Sequence, residues 1–101
     1  MRRTVRVTPE FFILLDDQLP HERGPNGEPT AAEFAAGALL TIVERFATRW
    51  DELPRIPGGT ECRILITNTR LVPFVSVTGQ LAPDGAVELV DVEIDMTPPQ
   101  D

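Results

Sequence analysis

A chain of 101 residues is of single-domain size, and its 10 Leu, 6 Ile, 9 Val and 5 Phe supply enough apolar side chains to form a core in spite of the charge. Nine arginines against sixteen acidic residues leave a formal charge of −7, which opposes binding to a phosphate backbone, so nucleic acid is disfavoured as a partner. The sequence holds no Lys and no Tyr, and mechanisms that need a side-chain amine or a phenol are excluded. The single cysteine, Cys62, excludes an intramolecular disulfide, and the longest apolar run, Phe11 to Leu15, is far shorter than the ~20 residues that span a bilayer. Thr8-Pro9-Glu10 interrupts the first segment before a signal-like apolar stretch develops. The expectation is one domain over residues 1–101, soluble, cytoplasmic, and with no membrane association.

Thr4 to Val7 is a short strand, ended where Thr8 can cap a helix and Pro9 can occupy its first position. Phe11, Phe12, Leu14, Leu15 and Leu19 supply the apolar stripe of that helix, and Pro20 stops it. His21 to Pro29, with the turn dipeptides of Gly24-Pro25-Asn26-Gly27, reads as a loop. Thr30-Ala31-Ala32-Glu33 has the spacing of a capping box, in which threonine accepts from the third amide and glutamate reaches back to the first. Phe34, Ala38, Ile42, Phe46 and Trp50 then fall four apart, which predicts one continuous helix from about Ala31 to about Trp50.

Arg55 to Thr60 is a connector, and the remainder alternates with period two. Strands are predicted at Glu61 to Thr67, Val72 to Thr78 and Val87 to Met96, joined by Asn68-Thr69-Arg70 and by a loop with the hairpin signal Asp84-Gly85. The fold class is α+β: a short N-terminal strand, two helices, then a three-stranded antiparallel meander with the helices packed on one sheet face. In the last strand Val90, Val92, Ile94 and Met96 share one face, and Asp91, Glu93 and Asp95 the other. Arg2, Thr4 and Arg6 share a face of the first strand, and opposite charge favours placing that strand beside the acidic last one.

This order of elements, with Arg55-Ile-Pro-Gly-Gly-Thr-Glu-Cys-Arg-Ile-Leu and Val72-Pro73-Phe74-Val75, resembles the RelE/ParE superfamily of toxin–antitoxin toxins. The resemblance implies a helical hairpin on an antiparallel sheet, a Pro-Gly loop leading into a strand that carries an arginine, here Arg63, and an antitoxin as partner. The chain departs from the family's messenger-RNA nucleases, which use basic residues with a Tyr or His near the later strands: here Val77-Thr78 and Asp91, Glu93 and Asp95 stand in those regions.

Among residues able to carry chemistry, His21 reads as a solvated loop residue and Cys62, in phase with Ile64 and Ile66, as a small core hydrophobe. Trp50 reads as the end of the core stripe. Alternate residues on one strand face lie about 6.6–6.8 Å apart, so Asp91, Glu93 and Asp95 read as a solvated face and not as a metal site. Arg63 and Arg70 are the only candidates for remnants of a catalytic site, and Arg63 has a structural alternative in an ion pair with Glu61. No cofactor or metal is expected. Phe11 to Leu15 cannot all face the sheet at 100° per residue, so Phe12 or Ile13, flanked by Glu10, Asp16 and Asp17, is expected to form a partner-binding face for an antitoxin or a second copy. The function expected is a RelE/ParE-like toxin component acting by protein binding; the alternatives are a non-toxic interaction or regulatory domain that keeps the fold, and, third, a ribosome-dependent mRNA endonuclease.

Overall fold

The computed structural model of the chain describes residues 2–24, 29–58, 61–70 and 72–96. Its elements are β1 (Val5–Val7), α1 (Pro9–Gln18), α2 (Ala31–Ala36), α3 (Ala38–Arg49), a 3-10 turn at Trp50–Glu52, β2 (Arg55–Ile56), β3 (Cys62–Thr67), β4 (Phe74–Leu81) and β5 (Val87–Asp95). The expected turn at Gly24-Pro25-Asn26-Gly27 lies, from Pro25 on, outside the described residues. The fold is α+β, but among the described residues it has three helices and a five-stranded mixed sheet of order β1-β5-β4-β3-β2. The three expected C-terminal strands form an antiparallel meander, which the two residues of β2, inside the expected connector, extend by one strand. Strand β1 lies beside β5 as the charge argument anticipated, and it runs parallel to it, with Val5 opposite Val87.

Thr8 joins three elements. Its amide and hydroxyl both donate to the Leu89 carbonyl, at 3.2 and 2.8 Å, while the hydroxyl accepts from the Phe11 amide at the start of α1. Phe11 and Leu15 of α1, followed by Leu19, are buried against the sheet. Pairing of β1 with β5 ends at Leu89. Farther along β5, the Gln18 side chain donates to the Val92 carbonyl and accepts from the Ile94 amide, both at 2.7 Å, so one side-chain amide takes the place of a strand on that edge.

The capping box is formed: Thr30 Oγ1 accepts from the Glu33 amide and Glu33 accepts from the Thr30 amide, both at 3.0 Å. That backbone hydrogen bond, with Arg23 beside it, holds the Glu33 carboxyl below the usual range. The helix that begins here is not continuous. Gly37, at φ −125° and ψ −77°, divides it into α2 and α3, since glycine has poor helix propensity and no side chain to hold the turn. The apolar stripe survives the break, with Phe34, Ile42, Phe46 and Trp50 all buried.

Two phase assignments are corrected. Cys62, Ile64 and Ile66 alternate as expected, but they lie on the sheet face away from the helices. Arg63, Leu65 and Thr67 face inward opposite Gly79, Val77 and Val75, because period two fixes which residues share a face without fixing which face is covered. Cys62 is half-buried, and Ile66 is exposed. On β5, Thr78 stands opposite Asp91 while Gly79 stands opposite Leu89, leaving Val90 as the extra residue of a bulge. Val87, Leu89 and Val92 therefore all point into the core, and Val90 does not share the face of Val92.

A Cβ on Gly79 would lie 2.7 Å from Phe46 Cε1 and 3.1 Å from Val87 Cγ1, so the glycine leaves the space that the Phe46 ring fills. Phe46→Ala should lower unfolding free energy by on the order of 3–5 kcal/mol in denaturant titration. Gly79→Ala should also destabilise, and when combined with Phe46→Leu should cost less than the sum of the two single changes.

Strand β1 is fastened to the β4–β5 hairpin by Arg6, which donates to Asp84 at 2.8 and 3.2 Å and reaches Glu88 at 3.5 Å. The Arg6 hydrogen bond first, and the Ala86 amide second, depress the Asp84 carboxyl pKa. A carboxylate whose folded pKa is lowered contributes stability that is complete above its unfolded value and is lost as pH falls through the folded value. Asp84→Asn should thus reduce stability at neutral pH and flatten the fall in stability below about pH 4, as read by urea titrations over a pH series.

Candidate functional site

The side chains singled out in the sequence fall into three places. Phe12 and Ile13 are 40% and 67% exposed on α1, opposite the buried face formed by Phe11 and Leu15. Glu10, Asp16 and Asp17 on the same helix are also exposed, which gives an apolar patch with an acidic border. Phe12 meets Phe11 edge-to-face with ring centroids 5.9 Å apart, so Ile13 is the side chain that stands clear of the core.

Arg63 is held inside the structure. Its side chain is only 13% exposed, its guanidinium carbon lies 5.3 Å from the centroid of the Trp50 ring, and it donates to the Asp51 and Leu53 carbonyls at 3.1 and 3.0 Å. It also pairs with Glu61 at 3.1 Å, the partner expected from their spacing on one strand. Its donors thereby gather the chain that follows α3, at Asp51 and Leu53, onto β3. Arg63 Nε is buried without a hydrogen-bond partner among the described residues. Arg70, the other candidate, is exposed on the turn after β3, where the Thr69 amide bonds the Val72 carbonyl and the Val72 amide bonds Thr69 Oγ1, both at 3.0 Å. The two arginines do not form one site.

Arg70 is brought instead to a cleft of about 810 Å³ between α3 and the end of β3. Ala38, Thr41, Ile42 and Arg45 line the helix wall; Leu65, Thr67, Asn68 and Arg70 belong to the opposite wall. The helix residues follow the spacing i, i+3, i+4, i+7, so one face of α3 presents them together. Sequence reasoning missed Arg45. The spacing that would have found it is present in the sequence, but only the fold shows that this face meets the β3–β4 turn. At its N-terminal end the helix wall is built from small residues, Gly37, Ala38 and Thr41, which cannot fill the gap to the sheet.

The remaining candidates lie away from this cleft. His21 is exposed, and Trp50 is buried beside Phe46 with ring centroids 6.2 Å apart. Asp91, Glu93 and Asp95 lie exposed along the outer face of β5, and among the described residues no group of three or more His, Cys, Asp or Glu is placed to hold one metal ion. No helix among the described residues is long and apolar enough to cross a membrane. Comparison of the chain with protein-family models, with curated proteins and with solved structures gives no match.

The two arginines should separate in stability measurements. Arg63→Ala removes a stacked cation and three charge-assisted hydrogen bonds, and should lower unfolding free energy by about 1–3 kcal/mol. Arg70→Ala should change it by less than about 0.5 kcal/mol in the same denaturant titration.

Proposed function

We propose that the chain is a RelE/ParE-like toxin component that acts by binding protein, with a cognate antitoxin as its partner, and that the partner docks on α1. The observation that carries this reading is the exposed pair Phe12 and Ile13 within the acidic border of Glu10, Asp16 and Asp17. A contiguous apolar surface rimmed by one sign of charge favours a partner segment with apolar anchors and basic flanks. The helix is fixed from its other side by Phe11, Leu15 and the Gln18 hydrogen bonds to β5, so it offers this face in a set position. The arrangement of helices on one face of the sheet, and a β3 arginine following a Pro-Gly connector, support the family reading.

Binding is favoured over messenger-RNA cleavage because Arg63 is occupied by Trp50, two carbonyls and Glu61, and is not presented to a substrate. Cleavage of a phosphate ester needs acid/base groups and cations placed around the scissile phosphate.

The test is co-purification with the product of the adjacent open reading frame, followed by expression of the chain alone. Ile13→Asp should abolish the complex on size exclusion while leaving the thermal unfolding profile in place, and expression without the partner should arrest growth. A complex unaltered by both Ile13→Asp and Phe12→Asp would place the interface elsewhere. Normal growth with an intact complex would support the non-toxic interaction domain.

A further inference from the structure

We propose that the cleft between α3 and the β3–β4 turn is a binding site for a small organic anion, whose carboxylate or phosphate group is held by Arg45 and Arg70 and whose apolar body rests on Ile42 and Leu65. The distribution of the arginines carries the inference. Six of the nine pair with carboxylates: Arg2 with Glu44, Arg6 with Asp84 and Glu88, Arg23 with Glu33, Arg49 with Glu52, and Arg55 and Arg63 with Glu61. Arg3 donates to the Gly85 carbonyl. Only Arg45 and Arg70 have neither an ion pair nor a hydrogen bond among the described residues, and these two come from different elements to line the same cleft.

In a chain carrying −7, a carboxylate partner for each would be the cheapest arrangement, yet no acidic side chain is among the described residues of the lining. Two arginines lining one cleft repel each other unless an anion joins them, and each offers a planar set of N–H donors matched to a carboxylate or phosphate. The rest of the lining suits an organic ligand and not a bare ion. Ile42 and Leu65 are apolar and almost fully buried beneath the cleft, while Thr41 and Asn68 add neutral donors at its sides. A volume of about 810 Å³ lies in the range of small-molecule sites. The net charge disfavours a polyanion, which would meet the acidic remainder of the surface, and a single small anion meets only the local positive field.

The test uses the full chain, isotope-labelled, with phenyl phosphate, benzoate, inorganic phosphate and neutral benzyl alcohol as probes in NMR titrations. Phenyl phosphate or benzoate should shift the amides of Thr41, Leu65 and Asn68 and should bind at least tenfold more tightly than benzyl alcohol. Arg45→Gln and Arg70→Gln should each weaken that binding at least fivefold and together abolish it. Arg49→Gln, which alters an arginine paired outside the cleft, should leave it unchanged. All three positions are exposed, and unaltered thermal melts would establish that the variants fold. Undiminished binding by the Arg45→Gln/Arg70→Gln double variant, or equal affinity for benzyl alcohol, would overturn the proposal. Inorganic phosphate binding as tightly as phenyl phosphate would overturn the role of the apolar floor. A single-stranded RNA oligonucleotide that shifts the same amides more tightly than phenyl phosphate would overturn the small-ligand assignment.

Discussion

The seating of the Phe46 ring on Gly79 sets the position of the helices over the sheet. Any side chain at position 79 would occupy the space of that ring, and the β-bulge at Val90 begins at the same point of the β4–β5 ladder. The bulge reverses the phase of β5, so that Val87 and Leu89 before it and Val92 after it all face the helices. One missing Cβ and one extra residue thus let a fully buried aromatic side chain approach the strands closely. With α3 fixed there at its C-terminal half, Trp50 comes to rest beside Phe46 and against Arg63. The N-terminal half of the same helix, lined by Gly37, Ala38 and Thr41, has too little side-chain volume to close on β3, and the cleft is the space left over.

Where the sequence was read correctly, the responsible forces were local. Thr8-Pro9 and Thr30-Ala31-Ala32-Glu33 specify helix starts through hydrogen bonds that span three residues, and both are formed as expected. Asp84-Gly85 makes its turn because Gly85 takes φ 89°, a conformation costly for other residues. Opposite charge does bring β1 beside β5, but through other carboxylates than Asp91, Glu93 and Asp95. The parallel register sets Arg6 opposite Glu88 and within reach of Asp84, and Arg2 turns away to Glu44 on α3. Complementary sign carries little information about register, because several carboxylates along β5 offer the same attraction.

The misreadings share a different origin. The four-residue spacing of Phe34, Ala38, Ile42 and Phe46 persists through Gly37, so periodicity could not reveal a break made by one residue's backbone. Cys62, Ile64 and Ile66 look like a core stripe until Leu65 is seen to pair with Val77 under the helices. The pairing of Arg45 with Arg70 in one cleft joins residues from two elements whose approach depends on Phe46 and Gly79, so it is a property of packing and is absent from any local pattern.

Charge also divides the surface. Most of the arginines neutralise carboxylates nearby, which leaves Glu10, Asp16 and Asp17 on the outer side of α1, and Asp91 and Glu93 on the outer face of β5, without an ion pair among the described residues. Exposed ion pairs of this kind contribute little stability each, so their effect lies more in deciding where positive charge remains than in holding the fold. Two unpaired arginines over an apolar floor are therefore a local exception within an acidic molecule. The same uneven use of nine arginines leaves the α1 face acidic and the cleft lined by two guanidinium groups with no carboxylate among its described residues.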